Sequence, residues 1–177
     1  MAPCPCGSTQ LLSNCCALIH ADVSLAAQAE QLMRARYSAF VINNIDFIIS
    51  TYHSSCNAEQ DRDQICEAAN IQWLKLDIIA SSDSRDSTQT ASVEFKAWFL
   101  ENQQLQLIHE RSRFIKETNP ALKGWRYLEG TFLESNLCEQ AEPRSCAKNT
   151  EQVTSNKTAR NALCPCLSGK KFKKCCG

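Results

Sequence analysis

At 177 residues the chain has room for one core with small appendages, and no apolar run approaches the roughly 20 residues that a membrane helix needs. Formal net charge is zero, yet the last acid is Glu151, and Lys157, Arg160, Lys170, Lys171, Lys173 and Lys174 follow it. The 13 basic and 19 acidic residues of 1–154 therefore form a body of net −6 with a basic tail, a pattern that points to an acidic partner for the tail.

The opening stretch, MAPCPCGSTQLLSNCC, has neither a basic n-region nor an apolar h-region. It predicts no secretory signal and a cytoplasmic address, where thiols stay reduced. It also holds Cys4-Pro5-Cys6, eight intervening residues, then Cys15-Cys16, so 1–20 reads as a small cysteine module.

Over 24–41 the apolar residues Leu25, Ala29, Leu32, Met33, Tyr37, Phe40 and Val41 recur at helical spacing. A second helix is expected over NIDFIIST, with Asn43 or Asn44 as cap and Ile45, Ile48 and Ile49 inward. A third is expected over 58–69, capped by Asn57 with Gln60 three residues on.

Beyond Asn70 the texture changes: IQWLKLDIIA, TASVEFKAWFL, LQLIHERSRFIK and GWRYLEGTFL are rich in β-branched and aromatic residues. The polar stretches SSDSRDSTQ, ENQQ and ETNPALK are short enough for hairpins, so an antiparallel sheet is expected. Helices followed by strands give an α+β middle domain over 21–134. Residues 135–161 hold almost nothing large and apolar and read as a linker, with Cys138 and Cys146 as incidental thiols. As a flexible coil the linker would span roughly 30 Å.

The final module, 162–177, holds CPCLSGKKFKKCCG. Cys164, Cys166, Cys175 and Cys176 repeat the N-terminal spacing at the opposite end of the chain. Disulfides fit this pattern poorly, because neither adjacent cysteines nor a C-x-C pair bridges with comfortable geometry. A metal fits well, since C-x-C on a tight turn and a returning Cys-Cys supply four thiolates for a tetrahedron. Peptides this short bury no core of their own, and metal binding worth about 10–16 kcal/mol at neutral pH would fold them. Soft thiolates suit zinc or iron. Lys170, Lys171, Lys173 and Lys174 favour the thiolate form, and with Phe172 they offer an outward contact surface. The N-terminal copy, with no charged residue before Asp22, reads as a structural clip.

The C-terminal stretch closely resembles the SEC-C motif that ends many SecA-type translocation ATPases. The resemblance implies a zinc-binding unit with ligands Cys164, Cys166, Cys175 and Cys176 that contacts an export chaperone or the ribosome. Leu167 stands where that family usually has glycine, whereas the N-terminal copy keeps Gly7 and Ser8. LMRARYSAFV, TYHSSC, ERSRFIKE and WRYLEGTF extend the likeness to the YchJ-type family. That family implies a nuclear transport factor 2-like domain, a curved sheet wrapped around a helix to leave a cone, between two SEC-C-like motifs.

Such a cone serves some relatives as a pocket and others as a docking surface, so fold alone decides nothing. Pocket candidates are Arg34, Arg36, Tyr37, His53, Arg111, Arg113 and Trp125. His109, Arg111 and Arg113 alternate onto one strand face, with Glu110, Ser112 and Phe114 on the other. Arginine forks would suit a carboxylate or phosphate ligand; the alternative is pairing with acids such as Glu94 or Glu110, with His53 merely ending the second helix. No Ser-His-Asp set, P-loop or dinucleotide fingerprint appears in the sequence. A lysine block beside an aromatic also suits nucleic acid, but four lysines on an acidic body fit a protein or ribosomal partner better. The sequence reads as a non-enzymatic, metal-binding adaptor, with a small-molecule-binding protein or enzyme of the central cone as the rival.

Overall fold

The computed structural model describes residues 2–83, 89–117 and 122–133. The expected linker and C-terminal module, with Cys164, Cys166, Lys170, Lys171, Phe172, Lys173, Lys174, Cys175 and Cys176, lie outside the described residues. Helices α1 (Cys16–Ala21), α2 (Ala29–Val41), α3 (Ile45–Ser50) and α4 (Arg62–Ala69) precede strands β1 (Gln72–Asp83), β2 (Thr90–Glu101), β3 (Gln104–Glu117) and β4 (Gly124–Phe132). The strands form one antiparallel meander in the order β1-β2-β3-β4.

Helix α2 starts later than its periodicity suggests. The Asp22 carboxylate accepts from both the Ser24 amide (2.9 Å) and hydroxyl (2.7 Å), winding Val23–Leu25 into a separate 3-10 turn. Leu25 is thereby left exposed rather than inward. The Gln31 side chain then reaches back to the Gln28 amide (3.1 Å) and starts the true helix, which buries Ala29, Leu32, Met33 and Tyr37. Asn44 caps α3 by accepting from the Phe47 amide, while Asn43 takes φ +57° and closes α2. Phe47 and Ile48 are the buried residues of α3; Ile45 and Ile49 are half-buried.

The third expected helix also needs correction. Asn57 sits at φ +48°, where it ends the preceding turn, and its side chain caps nothing. An N-cap requires extended backbone, so 58–61 forms a 3-10 turn and α4 begins at Arg62.

In β2 strict alternation buries Ala91, Val93, Phe95, Ala97 and Phe99 toward the helices. Register irregularities at Trp73/Lys75 and Ile78/Ala80 in β1, and at Arg113/Phe114 in β3, bend the sheet. The first two turn Leu74 and Ile79 outward. Strand β1 continues to Asp83 through part of the expected loop, with Ser82 and Ser92 hydroxyls 2.8 Å apart across the pair. Asn102 and Gln103 take φ of 50° and 63° in the two-residue β2–β3 turn, the twist such hairpins favour. The open edge of β4 is covered by the chain after α3: the Tyr127 amide donates to Thr51 O (2.8 Å) and the His53 amide to Tyr127 O (2.7 Å).

Gly130 faces the Glu110 carboxylate so closely that a Cβ there would overlap it and lie 2.6 Å from the Tyr127 hydroxyl oxygen. Gly130→Ala is expected to cost about 1–3 kcal/mol by overpacking. Thermal melting checks this, and a Tm equal to that of the parent protein counts against the close approach.

Candidate metal centre

Residues 2–16 fold into a knuckle and a return. The Cys4 amide donates to Gln10 O (2.9 Å), and Gly7 turns the chain at φ +81° with its amide on Cys4 O (3.4 Å). That left-handed turn is the reason a glycine follows Cys6. Pro3 and Leu11 bridge antiparallel, a 3-10 turn spans Leu12–Asn14, and Cys15 and Cys16 arrive at the start of α1.

The result gathers one ligand atom from each of Cys4, Cys6, Cys15 and Cys16, all within 4.8 Å of one another. Cys6 and Cys15 sulfurs are 3.7 Å apart, and those of Cys15 and Cys16 are 3.9 Å apart. A tetrahedron with metal–sulfur bonds of about 2.3 Å has edges of about 3.8 Å, so the sulfurs are spaced as a ligand set. All four cysteines are free, with separations well beyond the roughly 2.05 Å of a disulfide.

The quartet is closed from water on most sides. Cys4, Cys6 and Cys16 are 5%, 0% and 1% exposed, and only Cys15 is partly accessible. Four protein ligands with no open position make a structural site. Polar neighbours support the sulfurs: the Ser8 hydroxyl lies 3.2 Å from Cys15 Sγ, and Ser38 hydrogen-bonds Cys16. Without an ion, the Cys16 thiol beside Cys6 pulls the Cys6 pKa down to about 4. The same contact, with burial, holds Cys16 protonated, and burial pushes Cys4 up as well.

This module is joined to the middle domain rather than hung from it. Arg34 donates from Nη1 to Cys6 O (2.9 Å) and pairs with Glu30 (2.9 Å). The His20 ring, its pKa lowered by burial, meets Ala35 O at 2.9 Å and packs 4.5 Å from the Phe47 ring. Cys4, Cys6 and Cys16 share one apolar cluster with Leu32, Tyr37 and Phe114.

The seven pocket candidates are not brought together. Arg34 serves the cysteine knuckle. Arg36, buried, donates to Ile48 O (2.8 Å) and Thr51 Oγ1 (2.6 Å) between the Tyr52 and Tyr127 rings. Tyr37 is buried edge-on to Trp73, and burial raises its pKa to about 12. Trp125 donates to Ala27 O (3.2 Å). Arg111 and Arg113 lie on the sheet face opposite Ser112 and Phe114, paired with Glu94 (2.7 Å) and Glu129 (2.6 Å). His53 meets Glu117 near the far end of β3. The inward acid is Glu110, which accepts from Ser112 (2.6 Å) and the Tyr127 hydroxyl (3.2 Å). Burial, with Glu110 beside it, raises the Tyr127 pKa well above the ordinary value. Sequence alternation placed Glu110 and Ser112 on one face; only the register with β2 identifies that face as the inner one.

Residues 28–130 match a family model described as the YchJ middle NTF2-like domain, and residues 160–177 match the SEC-C motif. A UPF0225 protein of Vibrio vulnificus strain YJ016 is 40% identical over 176 residues, 99% of each chain. Another, from Photorhabdus laumondii, is 38% identical over 177 residues, 98% of each. Among solved structures, a SEC-C motif containing protein from Psychrobacter arcticus has a TM-score of 0.62 at 29% identity, covering 100% of this chain and 96% of that one. A second, from Rhodopseudomonas palustris, has a TM-score of 0.66 at 30% identity, covering 75% of this chain and all of that one.

Because Cys4 and Cys16 hold their protons tightly, metal must displace them on binding. Affinity at the N-terminal quartet is therefore expected to strengthen with rising pH, by about tenfold per unit for each proton released. Competition with a chromogenic chelator between about pH 8 and about pH 6 reads the slope. A flat profile is incompatible with a thiolate site.

Proposed function

The chain belongs to the UPF0225 family, built on a YchJ-type NTF2-like domain with a SEC-C motif, and from that premise we propose that it is a cytoplasmic, zinc-binding, non-enzymatic adaptor. Its N-terminal quartet is a structural clip. Its basic C-terminal motif, with ligands Cys164, Cys166, Cys175 and Cys176, is the contact surface for a protein partner, an export chaperone or the ribosome.

The observation that carries this reading is the sulfur spacing: four free thiols within 4.8 Å of one another, in a pattern repeated at the other end of the chain. Zinc suits an all-sulfur tetrahedron that needs no redox change. The likeness of the last residues to the SEC-C motif supports a second site over 162–177, separated from the 21–134 domain by the 135–161 linker. Four thiolates around a divalent ion leave a charge of about −2, which the adjoining lysines offset in part while Phe172 adds an apolar contact.

Elemental analysis of protein purified without added metal is expected to return about two zinc atoms per chain. No metal at either quartet overturns the reading. Reversing Lys170, Lys171, Lys173 and Lys174 to glutamate is expected to keep the metal and abolish recovery of a partner crosslinked through the tail. Equal recovery from both proteins removes the contact role.

A further inference from the structure

The end of α3 carries an arrangement that the metal reading does not use. His53 Nδ1 lies 2.8 Å from Ser55 Oγ, and His53 Nε2 lies 3.0 Å from Glu117 Oε1. We propose that Ser55, His53 and Glu117 form a nucleophilic site that takes the acyl group of an activated ester as an acyl-serine. The sequence did not disclose it, because the acid comes from the end of β3 and meets the histidine only in the folded chain.

The hydrogen bonds fix the tautomer. An ionised carboxylate only accepts, so Nε2 carries the proton it shares with Glu117. The neutral ring then presents a bare Nδ1, and that nitrogen also accepts from the Ser55 amide at 3.3 Å. An Nδ1 facing an N–H has no room for a proton of its own. The Ser55 hydroxyl is therefore the donor in the shortest of these contacts, as a serine awaiting deprotonation must be.

The surrounding chain holds the set in place. The His53 amide donates to Tyr127 O (2.7 Å) and its carbonyl accepts from the Cys56 amide (2.9 Å), so the histidine backbone is tied on both sides. Asn57 at φ +48° closes the turn. The side chains of His53 and Glu117 are 22% and 19% exposed, and Ser55 is exposed. The buried guanidinium of Arg126 lies within electrostatic range of Glu117. Capping of the 3-10 turn accounts for the amide on Nδ1, but not for a carboxylate on the opposite nitrogen.

The step balances without a further reagent. Ser55 Oγ bonds to the acyl carbon while its proton passes to His53 Nδ1, and Glu117 holds the resulting imidazolium through Nε2–H. The carbon–oxygen bond to the leaving group breaks as Nδ1–H returns the proton to the departing alkoxide. Water, giving a proton to the same nitrogen, then cleaves the acyl-serine to the free acid and restores the hydroxyl. An activated ester suits this site because its electrophilic carbonyl and good leaving group let acylation proceed with little stabilisation of the tetrahedral oxyanion. The proposal is independent of the metal reading, and Glu117 acts in it as a positioning residue.

The full-length, metal-loaded protein treated with a fluorophosphonate probe is expected to be phosphonylated at Ser55, with loss of fluoride, as read by peptide mass spectrometry. His53→Asn is expected to slow labelling by roughly 100-fold or more. Glu117→Gln is expected to slow it while leaving the melting curve unchanged, and Glu117→Asp to restore part of the rate. A folded protein whose Ser55 stays unlabelled, or is labelled equally fast in His53→Asn and Glu117→Gln, overturns the proposal. Full labelling that persists in Ser55→Ala does the same.

Discussion

Four sulfurs held within 4.8 Å of one another, three of them shut away from water, are the constraint around which the N-terminal third is arranged. As thiolates they would repel one another in a medium that screens poorly, and as thiols they gain little from the crowding. A divalent ion would resolve the conflict and make the knuckle a rigid corner. What rests on that corner is considerable: Cys6 anchors Arg34 of α2, and Cys16 opens the helix whose His20 packs against Ala35 and Phe47. The start of α2 is thus tied to the cysteine knuckle as well as to apolar burial.

The middle domain handles its own buried charge differently. Arg36 is 4% exposed, and its guanidinium is met by a carbonyl, a hydroxyl and two tyrosine faces at 4.3 and 4.7 Å. Cation–π contact in a desolvated setting is stronger than at the surface, so an arginine can be kept inside by aromatic walls. Tyr127 links this group to Glu110 and Ser112 on the inner face of β3. The cone is therefore built from polar contacts that satisfy one another, framed by Phe95 and Phe114.

Much of this was legible before any coordinates. The repeat of the cysteines pointed to a four-sulfur set, and the fold brings the N-terminal four within 4.8 Å of one another. The strands of the meander emerged from β-branched and aromatic density, and the two faces of β3 from simple alternation. Alternation, however, labels faces without saying which is covered. From the sequence, Arg111 and Arg113 therefore read as pocket residues and Glu110 does not, whereas the register puts Glu110 on the inner face. The helix boundaries failed where a local side chain outcompeted the periodic pattern. Asp22 drew Ser24 into a turn of its own, and Asn57 took a left-handed backbone that no N-cap can use. Helix α1 is not legible in the sequence because six residues show too little periodicity; it begins at Cys16, its buried residue.

The tie between Arg34 and the carbonyl of Cys6 carries a biological corollary. A metal-binding knuckle on a loose tether could lose its ion and leave its neighbours intact, whereas this cysteine knuckle shares a core with the domain it precedes. When the cell's supply of the ion runs short, the damage would spread through α2 and expose apolar surface to proteolytic quality control. Scarcity would then be felt as a smaller amount of the protein, rather than as a full complement of molecules with one idle end.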